Sequence, residues 1–456
     1  MIRIEDVDRA VREAEYAVRG PIVARAQELE RQGRRIIYCN IGNPQSLGQK
    51  PLTWVRQVLS LVEWPELADK LPAGAVPADV IETARSVLRG SGHGVGAYTD
   101  SKGYRFVREA IAEFIHARDG IAADPEAIFL TDGASKGAQS VLRILIGGPR
   151  DGIMIPIPQY PLYSATITLY GGAQVGYHLD EAHDWKLSRE ALDVAFEKAR
   201  SEGIRVRCIV VINPGNPTGG VLDASNVEMV LAFAREKGLS VIADEVYQTN
   251  LWQPGARFVS FASVLEQRGI RDVSLFSLHS TSKGYLGECG HRGGYLECRN
   301  VPEPVLEQIT KLQSISLCAN SVGQVLTYLL VHPPRPGEPS YEQWAREKGE
   351  VLEALRRKAE LVERGLNRVE GITCNRVAGA MYAFPRIALP PGVTDAEWCM
   401  ALLEETGICV VDGTGFGQAP GTSHFRTTIL PPLDEIETVV KRIAEFHLAF
   451  ARRRRG

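Results

Sequence analysis

The sequence contains none of the patterns that mark a disulfide framework, a zinc site or a secreted chain. Its eight cysteines are scattered singly, and the nine histidines include no H-E-x-x-H motif. This usage favours reduced thiols in a cytosolic protein without a metal. Residues 1–20 carry charges throughout and lack an apolar core, so they do not read as a signal peptide. Their mixture of acidic and basic residues also argues against a mitochondrial transit peptide.

The sequence also has no excess of charge of one sign and no long hydrophobic span. Formal net charge is -3, which gives no electrostatic reason to expect a nucleic-acid partner. The longest uncharged stretch, residues 152–179, contains three prolines and reads as buried strand and loop instead of a membrane helix. The only charge run, residues 452–455, is expected to be an exposed, frayed end, and a polyanion contact is the less favoured interpretation.

From residue 127 onward, short apolar runs alternate with helical stretches. This order predicts an α/β fold with a mainly parallel sheet and helices on both faces. A proline-rich break at residues 332–340 precedes a long helix. We therefore predict three segments: an N-terminal arm with part of a small domain (1–76), a large α/β domain (77–340), and the rest of a small α+β domain (341–456).

Polar side chains follow several strands of this predicted sheet. Ligands of such sheets bind at the carboxyl ends of the strands. The residues that fall there are Ser135, Tyr160, Asn216, Asp244 and Lys283. We expect these side chains to converge on one site.

Lys283 lies in the stretch SLHSTSKGYLGECGHRGG, which begins at residue 277. Small neighbours allow its amine to approach a ligand, while Ser280 and Arg292 could bind an anion such as phosphate. A lysine in such a pocket is the usual partner for a Schiff base, and pyridoxal phosphate is the commonest aldehyde cofactor. The motif alone leaves open an ordinary surface lysine in a polar loop.

Other residues would meet the needs of this cofactor. Gly133, Ala134 and Ser135 open a helix directly after a strand, where backbone amides could bind the phosphate; a plain capped helix is the alternative. Tyr160 could stack on the ring, although a core tyrosine would look the same. Asp244 ends an apolar strand and could keep the ring nitrogen protonated.

The remaining contacts concern the ring oxygen and the substrate. Asn216 and Tyr247 could donate to the ring oxygen, although the loop that carries Asn216 is also a good turn on conformational grounds. Arg426 lies in the apolar and hydroxyl-rich segment HFRTTIL with no acid near it in sequence. A substrate carboxylate is an attractive partner for it, and a distant Asp or Glu would serve equally.

With these motifs the sequence resembles the fold-type I pyridoxal-phosphate aminotransferases, and most closely their alanine branch. The resemblance runs from about Asn40 to Pro432. It implies a large domain with a mainly parallel seven-stranded sheet and a smaller α+β domain. The segments that carry it are NIGNPQSLGQKP, HGVGAYTDSKG, TDGAS, IPIPQYPLYSA, INPGNPTGG, ADEVYQ, FSLHSTSKGYLGECGHRGGY, EETGICVV and FRTTILPP.

The resemblance implies a role for each site residue. Lys283 would hold the cofactor as a Schiff base and shuttle the proton, with Asp244 and Tyr160 as the other catalytic residues. The implied substrate-binding residues are Arg426, Gly42 and Asn216. The implied cofactor-binding residues are Ala134, Ser135, Tyr160, Asn216, Asp244, Tyr247, Ser280, Lys283, Arg292 and, reaching the phosphate of a partner subunit in a homodimer, Tyr98.

The implied activity is a ping-pong transamination between L-alanine and 2-oxoglutarate that gives pyruvate and L-glutamate. Three alternatives remain at this point: an aminotransferase using glyoxylate or aspartate, a pyridoxal-phosphate-dependent lyase, and a non-catalytic regulator. No second arginine stands in a recognisable aspartate-selecting context, and residues 1–20 do not read as a DNA-binding domain. The lack of a long N-terminal extension suggests a cytoplasmic protein.

Overall fold

The computed structural model describes residues 1–455. Its strands are β1 Ile37–Tyr38, β2 Ile128–Leu130, β3 Asp151–Ile157, β4 Ala173–His178, β5 Arg205–Ile212, β6 Ser240–Asp244, β7 Leu275–Ser280, β8 Gly294–Arg299, β9 Ile372–Thr373, β10 Tyr382–Ala383, β11 Arg386–Ile387, β12 Ile408–Cys409, β13 Val411–Asp412 and β14 Phe425–Thr428. Its α-helices are α1 Arg9–Glu13, α2 Pro21–Arg31, α3 Thr53–Glu63, α4 Leu67–Lys70, α5 Ala78–Ser91, α6 Arg105–Asp119, α7 Ala134–Leu145, α8 Pro161–Leu169, α9 Arg189–Ser201, α10 Ala224–Lys237, α11 Phe261–Gln267, α12 Glu303–Ile315, α13 Ser321–Val331, α14 Tyr341–Leu366, α15 Asp395–Thr406 and α16 Leu433–Arg455.

Seven strands form the central sheet, in the order β2-β8-β7-β6-β5-β3-β4. The pairs among β4, β3, β5, β6 and β7 are parallel, and β8 runs antiparallel to both of its neighbours. The predicted mainly parallel sheet is therefore confirmed. Because the parallel strands end at one edge, the segments that follow β3, β5, β6 and β7 all begin at that edge.

Helices cover both faces of this sheet because its inner strands are apolar on both sides. Successive residues of β6 show the alternation: Val241 and Ala243 pack in the cluster that includes α9 to α11, whereas Ile242 packs in the one that includes α7 and α8. A strand buried in this way has only its end available for polar chemistry. Asp244 occupies that end.

A second hydrophobic cluster joins the two ends of the described chain. It unites α2 and β1 with α14 to α16 and the short strands after residue 370. β1 pairs in parallel with β12, with Ile37 opposite Ile408. This pairing places the segment after β1, which carries Gly42, near the strand that carries Arg426. Helix α3 instead packs with α5, α6 and α13. The predicted domain boundaries at residues 76 and 340 stay a prediction.

The C-terminal residues differ from expectation. The expected exposure is confirmed for Arg452 and Arg453, but helix α16 continues to Arg455 where a frayed end was expected, and Arg453 pairs with Glu405 at 2.8 Å. The apolar stripe of α16 and this ion pair extend the helix beyond the point where its arginines begin. Within residues 1–455, no helix is long and apolar enough to cross a membrane.

Candidate active site

A cavity of about 590 Å3 opens at the carboxyl ends of the parallel strands, where the segments that carry Gly42 and Arg426 also meet. Eleven of the twelve predicted site residues line it. They are Gly42, Ala134, Ser135, Tyr160, Asn216, Asp244, Tyr247, Ser280, Lys283, Arg292 and Arg426. The exception is Tyr98, which is 79% exposed and does not line this cavity.

Lys283 lies in the loop directly after β7, and its amine faces the cavity. Nζ donates to the backbone oxygen of Gly42 at 2.8 Å and lies 5.7 Å from the centre of the Tyr247 ring. Cys289 Sγ lies 3.7 Å from the same Gly42 oxygen. The lysine is therefore held by a neutral carbonyl, with no carboxylate paired to it in the part of the chain that the structure describes. Its amine remains available to an aldehyde.

Asp244 is a buried carboxylate with one free oxygen. The Tyr163 hydroxyl donates to Oδ2 at 2.8 Å, while Oδ1 has no hydrogen-bond partner within residues 1–455. Burial raises the pKa of Asp244 to about 6, against the opposing effects of the Tyr163 hydrogen bond, the nearby Val246 backbone amide and the Lys283 charge. A buried acceptor without a partner is costly. A positively charged N–H donor in the cavity would satisfy Oδ1.

Helix α7 begins at the cavity and presents an anion site. Gly133 precedes it with a φ of 76°, a conformation that glycine adopts without strain. The first amides of a helix lack partners within it and favour anions. Arg292 lies beside them, held by the backbone oxygens of Cys289 at 2.8 Å and Asp132 at 3.0 Å. Ser135 and Ser280, also in the cavity lining, add hydroxyl donors.

Arg426 is a fully enclosed cation, 1% exposed, on β14. Its guanidinium donates to Asn216 Oδ1 at 3.2 Å and to the Asn40 backbone oxygen. The Tyr382 and Phe416 ring centres lie 4.3 and 4.7 Å from its central carbon. The distant acid that could have paired with Arg426 is not found within residues 1–455, and Nε has no partner there. The guanidinium is thus positioned for an external anion.

Several lining or supporting residues were not predicted from the sequence. Tyr16 hydrogen-bonds Tyr160 between their hydroxyls at 2.7 Å, and Arg19 lines the cavity beside it. Tyr163 and Tyr382 support Asp244 and Arg426 as described above. Tyr16, Arg19 and Tyr382 stand outside the motif segments, and Tyr163 lies inside IPIPQYPLYSA without a chemical feature that sets it apart from a core tyrosine.

The fold and the cavity are those of a pyridoxal-phosphate-dependent transferase. Residues 67–443 match the model of the family "aminotransferase class I and II", and the chain belongs to this family. It is 48% identical to a probable mitochondrial alanine aminotransferase of Dictyostelium discoideum, over 98% of this chain and 89% of that protein. It is 47% identical to glutamate–glyoxylate aminotransferase 1 of Arabidopsis thaliana, over 98% of this chain and 96% of that protein.

Solved structures give the same result for the fold. An alanine aminotransferase from Pyrococcus furiosus superimposes with a TM-score of 0.79 at 26% identity, covering 97% of this chain and 100% of that chain. The chain is therefore a pyridoxal-phosphate-dependent aminotransferase.

The cavity fits this cofactor. The free oxygen of Asp244 matches the ring nitrogen, and the start of α7 with Arg292 matches a phosphate. The distinct polar ends of the cavity correspond to the two ends of the cofactor. Lys283 lies with them in the same lining, as a Schiff base requires.

Proposed function

We propose that the protein interconverts L-alanine and 2-oxoglutarate with pyruvate and L-glutamate. Transamination of an amino acid is supported by two groups that line the same cavity. One is the available amine of Lys283, and the other is the guanidinium of Arg426, which has no acid paired with it and whose Nε has no partner within residues 1–455. The identity of 46–48% to relatives named alanine aminotransferases supports alanine as the donor.

The cavity residues would divide the work as follows. The bound cofactor supplies an aldehyde and an electron-withdrawing ring. Lys283 would hold it covalently and would then carry a proton on Nζ. Asp244 Oδ1 would accept the ring N–H and keep that nitrogen protonated. Arg426 orients the substrate by its α-carboxylate, near the Gly42 backbone.

The other predicted residues would fix the cofactor. Asn216 and Tyr247 would donate to the ring oxygen, and Tyr160 would cover one face of the ring. Burial and the neighbouring Tyr16 raise the pKa of Tyr160 well above its usual value, so it stays a neutral phenol. The phosphate contacts would come from Ala134, Ser135, Ser280 and Arg292.

Arg19 supports a dicarboxylic partner. Arg19 is exposed and lines the same cavity as the buried Arg426, and no acid forms an ion pair with it within residues 1–455. Alanine has one carboxylate, whereas glutamate and 2-oxoglutarate have two. A second guanidinium at the mouth of the cavity gives the distal carboxylate a partner.

Glyoxylate is the second candidate acceptor. The observation in its favour is the 47% identity to a protein named glutamate–glyoxylate aminotransferase. Glyoxylate carries one carboxylate and no side chain, so Arg426 alone would bind it. Initial rates with alanine and either 2-oxoglutarate or glyoxylate would rank the two, and Arg19→Ala should slow only the reaction with 2-oxoglutarate.

The assembly and location are also proposals. Tyr98 is exposed and outside its own cavity, which would suit a residue that completes the site of a second copy in a homodimer. Sedimentation of the purified chain, together with restoration of activity by mixing Tyr98→Phe and Lys283→Ala chains, would test this arrangement.

We propose a cytoplasmic location, which fractionation of the source cells would test.

A half-reaction tests the main proposal. L-alanine alone is added to the cofactor-loaded protein, and the absorbance of the lysine-bound cofactor and the released pyruvate are measured. We expect the absorbance to fall with about one pyruvate per site and to return on addition of 2-oxoglutarate. Bleaching by aspartate but not by alanine would overturn the substrate. Release of ammonia without an added oxo acid would identify a lyase instead.

A further inference from the structure

Tyr382 is a buried tyrosine in the cavity, and none of the roles above uses its hydroxyl. It begins β10 and is 3% exposed. A methyl group placed on Gly42 would collide with the Tyr382 hydroxyl and would lie 3.0 Å from Lys283 Nζ. The phenol oxygen and the lysine amine therefore approach one point. The Tyr382 ring also lies against the Arg426 guanidinium, 4.3 Å from its central carbon. This side chain is therefore close to the lysine and to the buried arginine of the site.

The surroundings of Tyr382 favour negative charge on its oxygen. Burial alone would raise the pKa of Tyr382, but the positive charges of Lys283 and Arg426 and a hydrogen bond with Tyr247 outweigh it and lower that pKa. The interaction is mutual, because an oxygen stabilised by a cation stabilises that cation in return. The titratable and charged groups around this hydroxyl are Lys283, Arg426, Tyr247, Cys289 and Tyr160.

We propose that Tyr382 is a further catalytic residue, whose hydroxyl oxygen accepts a hydrogen bond from Lys283 Nζ while that amine carries the proton taken from the substrate α carbon. The proton stays on Nζ until it is delivered, and Tyr382 keeps its own proton, so no bond to Tyr382 forms or breaks. The inference rests on the proposed transamination for its α proton. It adds a residue that stabilises the charged lysine.

The ring and the hydroxyl of Tyr382 serve different partners. The ring packs on Arg426 and so supports the substrate clamp, whereas the hydroxyl is directed at Lys283. Tyr382→Phe removes only the hydroxyl, and Tyr382→Leu removes both. A matched control is Tyr285→Phe, since Tyr285 is a buried tyrosine two residues after Lys283 that does not line the cavity.

The test measures kcat and KM of the cofactor-loaded variants with the amino acid that bleaches the parent. We expect Tyr382→Phe to lower kcat about ten- to hundredfold and to change KM for the amino acid less than threefold. Tyr382→Leu should lower kcat similarly and also raise KM, because Arg426 loses its packing. Tyr285→Phe should match the parent. An effect of Tyr382→Phe on KM alone, or none, would overturn the proposal.

A second measurement does not depend on turnover. The full chain without cofactor is labelled with an amine-reactive reagent at a series of pH values, and labelling of Lys283 is followed by peptide mass spectrometry. Loss of the hydroxyl should make Lys283 reactive about one pH unit lower, since the charged amine loses a hydrogen-bond acceptor. An unchanged profile would overturn the proposal. A parent inactive toward alanine would overturn only the proposed substrate, and this profile would still decide the role of Tyr382.

Discussion

Tyr163 shows how one residue outside the cavity lining controls one inside it. Its hydroxyl donates to Asp244 Oδ2 and opposes the effect of burial, and the net result is that the pKa of this carboxyl is raised to about 6. We expect Tyr163→Phe to raise the pKa of Asp244, so that a higher pH is needed to ionise it. The acidic limb of kcat against pH should move up by about half to one unit, and cofactor affinity should fall several-fold.

The control for this prediction is another buried tyrosine. The Tyr177 hydroxyl donates to the Val210 oxygen at 2.7 Å inside the same sheet. Tyr177→Phe should lower the melting temperature without moving the acidic limb. If Tyr163→Phe and Tyr177→Phe have the same pH profile, Tyr163 acts only in packing.

Among single residues, the sequence identifies those site residues that lie in a recognisable local motif. Lys283 and Arg292 share one glycine-rich stretch, and Asp244 is the first charge after an apolar strand, so each stands out locally. Tyr163 and Tyr382 do not, because a tyrosine in an apolar helix or strand reads as core. Their partners are distant in sequence, and only the folded chain brings the groups together.

At the N-terminus of α7, cofactor binding depends on the backbone conformation of one glycine. Gly133 has a φ of 76°, and a Cβ there would collide with the Arg292 guanidinium. We expect Gly133→Ala to weaken cofactor binding at least tenfold, because it strains the turn and displaces the arginine. Absorbance titration of the cofactor-free chain with pyridoxal phosphate measures this.

Gly148, which follows the other end of α7, provides the control. It has no unusual φ, and a Cβ there would meet nothing within 4 Å. Gly148→Ala should leave cofactor affinity unchanged. Equal affinities for the two variants would show that Arg292 adjusts to the methyl group and that the turn does not limit binding.

Element order was predictable where periodicity and strand-end rules apply. They correctly predicted that the segments after β3, β5, β6 and β7 face one edge. The pairing of β1 with β12 was beyond sequence reasoning, because each strand has two residues and the register depends on the packing of α2 against α15. That pairing brings Gly42 to Lys283, so the substrate side of the site was the harder half to predict.

For the molecule as a whole, a buried acid behind the active site couples stability to pH. Glu245 is 2% exposed and accepts from the Phe261 amide at 2.9 Å. Burial raises the pKa of Glu245 to about 8, although the Arg118 charge opposes this. The folded chain therefore keeps this proton at pH values where the unfolded chain has lost it. Its contribution to stability falls as pH rises from about 4.5 to about 8.

Glu245→Gln keeps the acceptor and removes the titration. As pH rises from 5 to 8, we expect the free energy of unfolding of the variant to increase relative to that of the parent by on the order of 2–4 kcal/mol. Melting temperatures of both proteins across this range provide the measurement. The control position is Glu228, which is on the surface and pairs with Arg268. The melting temperature of Glu228→Gln should change with pH in the same way as that of the parent. If the melting temperature of Glu245→Gln also changes with pH as that of the parent does, the pKa of Glu245 is not raised.

The unpaired guanidinium of Arg426 also implies an opposition between stability and activity. The chain encloses a full positive charge and gives it only neutral partners, so the ligand-free protein is less stable than an apolar side chain would make it. We expect Arg426→Met to melt at a higher temperature than the parent without ligand while losing turnover. Adding a small carboxylate should raise the melting temperature of the parent and leave the variant unchanged. Selection for thermal stability alone would then tend to remove the residue that recognises the substrate.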